Sequence, residues 1–303
     1  MQLLKRIIDA FYSVNSKIKG HPYASKYKVF YWTQYIQLYL VARVFNSRLK
    51  HNWVNNIQFF VDVNDWAFAR NCYLRLNEFN QSCFAVHYLK EDDLFIDAGA
   101  NLGHFSLLVG AISKSSVISF EPDSDTFSKL KRNIHLNKLR KNIRIHNLGL
   151  GDKEQKVSFK SMRNNGHNYI LNSEVGDKKV KIIPLEKIKL ETIPSLIKID
   201  VEGYEKKVLL GAKNILKNKK LNAMIIEISH HSERYGNSIQ DTYNFVLGFG
   251  FNSYDYDPFS RKINLCSLEN RSMDDMIFIR NLKIAKARLS VGKPINLDDN
   301  YSV

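Results

Sequence analysis

The hydrophobic pattern divides the chain into a helical N-terminal part and a longer part in which strands and helices alternate. Apolar positions recur at helical spacing over residues 1–20 and 26–49, and a Gly-His-Pro break separates these two stretches. A short strand is predicted at 57–63, followed by a helix at 66–78. We therefore expect residues 1–90 to form a mainly helical N-terminal cap.

From Asp92 onward, short apolar runs alternate with amphipathic segments, a pattern typical of a parallel sheet covered by helices. The prediction for residues 91–280 is an α/β fold with a doubly wound, mostly parallel, seven-stranded sheet. Two strand-like pieces around a polar loop at 155–183 predict a β-hairpin insertion. Residues 281–303 show little periodicity, so we expect a flexible tail. The seven predicted strands are 94–97, 117–120, 143–147, 196–199, 223–228, 251–256 and 276–280.

Positive charge is concentrated in the cap. The net charge is +15, and residues 1–60 hold nine Lys and Arg against one acid, Asp9, together with 13 of the 36 aromatic residues. Residues 1–60 carry a net charge of +8 and the remaining 243 residues only +7, so the excess is concentrated in the cap and not spread over a face for nucleic acid. Nucleic acid is therefore disfavoured as a partner.

Two interpretations of the cap stay open. Its aromatic side chains can pack over the sheet edge or over a pocket for the acceptor substrate. Alternatively, residues 1–50 can lie peripherally on an anionic membrane, with Lys5, Arg6, Lys17 and Lys19 facing the lipid.

The cysteines and the apolar runs indicate a cytoplasmic protein. Cys72, Cys83 and Cys266 are too scattered for a zinc quartet or a disulfide framework, which fits a reducing compartment. The chain contains no run of about 18 consecutive apolar residues, so no transmembrane helix is predicted. The first residues carry charges inside their apolar stretch, unlike a signal peptide. We expect a cytoplasmic location, either free or peripheral at the inner membrane face.

The strongest chemical signal is the segment Phe95-Ile-Asp-Ala-Gly-Ala-Asn-Leu-Gly-His-Phe-Ser, in which a strand runs into a glycine turn and a helix. Gly99 permits a positive φ and close approach of a ligand, and the helix start offers free N–H donors. Asp97 can hold a cationic amino group. A dinucleotide fingerprint needs glycine where Asn101 and His104 stand, so an NAD(P)-dependent oxidoreductase is disfavoured. S-adenosylmethionine (SAM) has no phosphate and accepts this looser turn.

Carboxylates end two further predicted strands. Glu121 follows Gly103 by 18 residues and can accept hydrogen bonds from both hydroxyls of a ribose. Asp200 and Glu202 end a later strand, where ligands of open α/β sheets bind. For Glu121 alone the alternative is an exposed loop acid, and for Glu202 it is an acid that interacts with a helix dipole.

These segments, in this order, resemble the FkbM family of SAM-dependent methyltransferases over about residues 90–280. The resemblance implies a class I methyltransferase, Rossmann-like fold and O-methylation of a sugar, a glycan or a natural product. The chain departs from the family pattern at Leu185-Glu-Lys, where members often carry Leu-Asp-Asp, and before the first strand, where only Asn77-Glu is near a Tyr-Glu pair. The matching segments are Ile96-Asp-Ala-Gly-Ala-Asn-Leu-Gly-His-Phe-Ser, Phe120-Glu-Pro, Asn147-Leu-Gly-Leu-Gly-Asp and Ile197-Lys-Ile-Asp-Val-Glu-Gly-Tyr-Glu.

The resemblance also implies a site for SAM, with Asn147 or Asp152 near the adenine. A hydroxyl acceptor needs a general base, for which Asp200, Glu202 and Glu227 are the candidates. A divalent metal is an open alternative, held by Asp200, Glu227 and His230. The residues predicted to hold the rest of SAM are Asp97, Gly99, Ala100, Asn101, Gly103, Glu121 and Pro122.

Two alternative functions stay open from the sequence. An RNA-directed methyltransferase fits the positive charge, although the chain contains no Pro-Pro motif for exocyclic amines and no Pro-Cys nucleophile. A non-catalytic protein that binds SAM would also keep the fold. The partner that we expect is a small-molecule or glycan acceptor.

Overall fold

The computed structural model describes residues 2–45, 49–61, 66–161, 168–171, 176–271, 274–298 and 301–303. The helices are α1 (Gln2–Gly20), α2 (Lys28–Phe45), α3 (Trp66–Leu74), α4 (Phe79–Tyr88), α5 (His104–Leu108), α6 (Ser124–Leu136), α7 (Glu205–Leu210), α8 (Lys213–Lys217), α9 (Ile239–Leu247) and α10 (Leu282–Leu289). The strands are β1 (Leu49–Asn52), β2 (Gln58–Val61), β3 (Leu94–Ala98), β4 (Ser116–Phe120), β5 (Ile143–His146), β6 (Gly149–Leu150), β7 (Gln155–Lys160), β8 (Tyr169–Ile170), β9 (Lys178–Ile183), β10 (Leu196–Ile199), β11 (Ala223–Glu227), β12 (Asn252–Asp257), β13 (Lys262–Leu265), β14 (Asp275–Ile279), β15 (Asn296–Asp298) and β16 (Tyr301–Ser302).

The main sheet has the strand order β13-β12-β14-β11-β10-β3-β4-β5. The five strands from β11 to β5 are parallel, whereas β14, β12 and β13 run antiparallel to their neighbours. The predicted mostly parallel α/β sheet is confirmed, with eight strands instead of seven. The extra strand is β13, whose only buried side chain, Ile263, gives too weak an alternation to be recognised in the sequence.

Helices cover both faces of the sheet, as a doubly wound fold requires. Alternate residues of a strand point to opposite faces, so Phe95 joins one hydrophobic cluster and Ile96 joins the other. All five residues of β3 are buried. Parallel strands buried on both faces read as continuous apolar runs, which explains why this part of the sequence was readable.

The N-terminal helices pack onto the same cluster as one face of the sheet. Ile18 and Tyr31 are buried there, and His21 fixes the turn between α1 and α2. The Nε2 of His21 lies 2.7 Å from the carbonyl oxygen of Leu76. Within the described residues, no helix has the length and apolar character needed to cross a membrane.

The expectation of a flexible tail after residue 280 is wrong for the described residues. Helix α10 packs against α4, β15 and β16 pair with each other, and Ala285, Leu289 and Ile295 are fully buried. Arg288 forms an ion pair of 2.5 Å with Asp93 at the start of β3. The segment joins the core through Ala285, Leu289, Ile295 and Leu297, while Ile284 and Val291 stay exposed.

Candidate active site

A cleft opens at the carboxyl ends of the parallel strands. The strand β3 lies between β4 and β10, so the chain leaves β3 toward one side of the sheet and returns later on the other. Ligands of such sheets bind at this switch point. A second sheet, in the order β6-β9-β7-β8, contributes Phe159, Tyr169 and Ile170 to the opposite wall. Six predicted site residues line the cleft: Gly99, Asn101, Glu121, Pro122, Asp200 and Glu202.

Gly99 allows the ends of β3 and β10 to approach each other closely. Its φ is +84°, and a Cβ atom at this position would lie 1.8 Å from the backbone oxygen of Asp200. The N–H groups of Gly99 and Ala100 both donate to the carbonyl of Phe120 at the end of β4. The turn therefore joins the ends of three strands, which only glycine permits at its tightest point.

Glu121 ties together two loops at the floor of the cleft. One carboxylate oxygen accepts the N–H of Asn101 at 3.0 Å, and the other accepts the N–H of Asp123 at 2.9 Å. Burial raises the pKa of Glu121 to about 8, although these two N–H donors act in the opposite direction. The amide of Asn147 supports the same loop by donating to the carbonyls of Glu121 and Pro122.

Two residues predicted to contact SAM are committed to other partners. Asp97 is buried beneath the turn, where Ser106 Oγ donates to its carboxylate at 2.5 Å, and burial raises the pKa of Asp97. Asp152 lies at the start of the second sheet and forms an ion pair of 2.9 Å with Lys207. Gly103 begins α5 with a φ of +100° and packs against Leu130.

A buried lysine lies among carboxylates beside the cleft. Lys198 Nζ is 2.7 Å from Asp200 Oδ2, and oxygens of Glu78, Asp200 and Asp275 lie within 4.8 Å of one another. Burial alone would lower the pKa of Lys198, but the nearby carboxylates of Asp200, Glu78, Asp275 and Asp97 raise it above its usual range. Lys198 is therefore held as an ammonium ion.

Glu78 lies beside the site, although the sequence analysis predicted no role for it. It stands before α4 with a left-handed φ of 49°, and burial raises the pKa of its carboxyl group. Such a backbone conformation is rare for a residue with a side chain and concentrates at functional sites. In the sequence, Asn77-Glu stands near the position of the family's Tyr-Glu pair, but no role was predicted for Glu78.

A second group joins the ends of β10 and β11. His231 Nδ1 lies 2.9 Å from Glu202 and 3.9 Å from Glu227, and these donors suit a divalent metal ion. The structure places His231 beside these acids and not the predicted His230, whose exposed ring lies 2.7 Å from Glu233. Successive side chains of a 3₁₀ turn point about 120° apart, so only one of the two histidines can face the acids.

Glu205 fixes the turn that presents Asp200 and Glu202. Its buried carboxylate accepts the N–H groups of Val201 and Gly203, each at 3.0 Å. Burial raises the pKa of Glu205 to about 7, against the effect of these donors. Glu205 is the last residue of the matching segment that begins at Ile197, but the sequence predicted no role for it.

The strand order and the glycine turn, with acids at neighbouring strand ends, define a Rossmann-like α/β protein of the class I methyltransferase type. The family model described as the methyltransferase FkbM domain matches residues 97–257, more than half of the chain. The chain belongs to the FkbM methyltransferase family, which confirms the resemblance seen in the sequence.

The chain is similar to two further methyltransferases over part of its length. It is 28% identical over 159 residues to methyltransferase 1 of Beauveria bassiana, covering 44% of this chain and 64% of that one. It is 30% identical over 145 residues to the hexuronic acid methyltransferase AglP of Haloferax volcanii, covering 46% of this chain and 57% of that one. Each match therefore spans less than two thirds of the relative. A solved methyltransferase FkbM from Methylobacillus flagellatus KT has 17% identity and a TM-score of 0.45, covering 71% of this chain and 53% of that one.

Proposed function

We propose that this protein transfers a methyl group from SAM to a hydroxyl group of a sugar, a glycan or a related natural product. The observation that carries the proposal is the position of Glu121 and Asp200 in one cleft, on the two strands that flank the Gly99 turn. One acid then faces a nucleoside and the other faces the reacting end, as expected for a site at the switch point of the sheet.

The residues of the cleft fit SAM. A Cβ atom at position 99 would collide with the backbone of Asp200, so glycine there allows Asp200 to lie directly beside the turn. A carboxylate oxygen has two lone pairs, so Glu121 can accept ribose hydroxyls in addition to its two N–H donors. Bound SAM would supply a methyl group on a positively charged sulfur. Gly99, Asn101, Glu121 and Pro122 would hold it.

Asp200 is the general base in this proposal. Its carboxylate lines the cleft and is partly exposed, while the ammonium group of Lys198 holds it in place from the buried side. A hydroxyl acceptor within hydrogen-bond reach would give its proton to Asp200. Glu202 also lines the cleft, and its contact with His231 suits a role in binding the acceptor.

The composition of the cleft and the named relative support a sugar acceptor. Aromatic rings of Phe159, Tyr169 and Tyr204 lie with the carboxylates of Asp200 and Glu202 around the same space. Apolar walls with a few convergent polar groups are typical of sites for small molecules. The relative named as a hexuronic acid methyltransferase is 30% identical to this chain.

Calorimetry with SAM and with its demethylated product, followed by methyl transfer to sugars that contain uronic acid, tests the proposal. Replacing Glu121 by Ala should weaken SAM binding by about 10- to 100-fold, because Glu121 can accept two ribose hydroxyls and each hydrogen bond contributes roughly 0.5–1.5 kcal/mol. The matched control is Glu191→Ala, which removes a carboxylate that is 82% exposed. Absence of binding to the wild-type protein, or equal binding by both variants, would overturn the assignment.

A further inference from the structure

The outward side of α2 is apolar although it faces solvent. Val29, Ile36 and Leu40 follow one another at helical spacing and are 80%, 48% and 55% exposed. On the opposite side, Tyr31 is buried and Tyr35 packs against the core. Several large apolar side chains exposed next to one another on a helix are typical of an interaction surface.

The apolar surface continues onto α1. Phe11 and Tyr12 are more than half exposed, and the ring of Phe11 stacks on Trp32 of α2 at 4.8 Å between ring centroids. We call this surface the cap face and define it by its exposed residues. They are Phe11, Tyr12, Val29, Phe30, Ile36 and Leu40.

The charged residues around the cap face are mostly basic. Between positions 10 and 61 the sequence contains seven Lys and Arg residues and no Asp or Glu. Four lysines are exposed between the end of α1 and the start of α2, namely Lys17, Lys19, Lys26 and Lys28. The cap face therefore combines aromatic and aliphatic groups with an excess of positive charge, and Asp9, exposed on α1, is the one acid among residues 1–61.

We propose that the cap face docks the protein peripherally on an anionic lipid bilayer. Aromatic rings and aliphatic side chains enter the boundary between head groups and acyl chains, while each lysine near the surface adds an attraction to anionic lipid. A second copy of the chain is a poorer occupant, because a symmetric dimer would bring the same basic residues of both copies together. The proposal does not depend on the methyl-transfer reaction.

Vesicle flotation of the full chain tests the docking surface. We expect flotation with vesicles of phosphatidylcholine and phosphatidylserine, and little flotation with phosphatidylcholine alone or at high salt. The combined change Val29→Glu, Ile36→Glu and Leu40→Glu should reduce bound protein at least about ten-fold, since it removes apolar contacts and adds negative charge. All three side chains are about half or more exposed, so the substitutions remove little buried contact from the fold.

A matched control changes three exposed apolar residues elsewhere, namely Leu265→Glu, Ile284→Glu and Val291→Glu. This control should float like the wild-type protein. Equal flotation of the two triple variants would overturn the proposal, as would a wild-type protein that stays unbound with both kinds of vesicle. Light scattering after size exclusion would identify the cap face as a contact between copies if only its variant converts a dimer into monomers.

Discussion

Lys198 and Asp200 form an ion pair, with Nζ 2.7 Å from Oδ2, at the point where β10 opens into the cleft. Their spacing of two residues puts both side chains on the same side of the extended chain. The lysine is almost fully buried, whereas the aspartate side chain is 29% exposed. The pair therefore presents one carboxylate to the cleft while its partner stays beneath it.

Asp200→Asn should remove methyl transfer while leaving SAM binding nearly intact. An amide cannot accept the proton of a hydroxyl acceptor, and general bases contribute roughly 10²- to 10⁴-fold to rate. We expect kcat to fall within that range and the dissociation constant for SAM, measured by calorimetry, to change by less than about three-fold. Asp152→Asn is the control, because it makes the same chemical change at a carboxylate that is paired with a different lysine, Lys207. Full activity of Asp200→Asn would assign the base elsewhere.

Lys198→Met should destabilise the protein and change its response to pH. The substitution leaves the carboxylates of Glu78, Asp200 and Asp275 without their ammonium partner, and breaking a buried pair in this way costs roughly 3–5 kcal/mol. Chemical denaturation at neutral and at acidic pH measures the loss. The deficit should shrink at low pH, where the acids take up protons. A deficit that is the same at every pH would assign Lys198 a packing role only.

Gly99→Ala and Gly236→Ala separate backbone strain from steric overlap. Both glycines have positive φ, but only at Gly99 would a Cβ meet another atom, the backbone oxygen of Asp200. Gly236→Ala should cost about 1–2 kcal/mol of folding free energy, the left-handed penalty alone. Gly99→Ala should cost more and should also abolish SAM binding in calorimetry. Equal losses in the two variants would contradict the close approach of β3 and β10.

His21 should make the protein less stable as the pH falls below 6.5. Its Nδ1 accepts the N–H groups of Tyr23 and Ala24 while Nε2 donates to Leu76, which requires a neutral ring. Burial lowers the pKa of His21 to about 4, even though the Leu76 hydrogen bond opposes this. Between pH 6.5 and 4 the unfolded chain therefore binds more protons than the native chain, so the free energy of unfolding decreases by about 2–3 kcal/mol.

The His21 contribution can be isolated with two variants. His21→Asn keeps an acceptor near the Nδ1 position and removes the titrating group, so its stability should vary less between pH 6.5 and 4 than that of the wild-type protein. His135→Asn, at an exposed position of α6, serves as the control. Unfolding curves at several pH values give the comparison. Parallel curves for the wild-type protein and His21→Asn would show that another group causes the acid sensitivity.

The α/β sheet and the order of the motifs along the chain could be predicted from the sequence. Buried parallel strands are continuous apolar runs, and a ligand turn needs glycine, so Gly99, Glu121 and Asp200 were recognisable from local pattern. Their roles toward SAM and acceptor stay predictions until binding and activity are measured. The family followed from the same short segments.

The contacts between residues that are distant in the sequence became visible in the tertiary structure alone. Glu78 reaches Asp200 and Asp275 across three elements, and His231 faces Glu202 because of the local 3₁₀ turn. The burial of α10 likewise depends on α4, which stands nearly 200 residues earlier in the chain. Periodicity reports what one segment does along its own axis, whereas these contacts depend on the relative placement of separate segments, which no local pattern encodes.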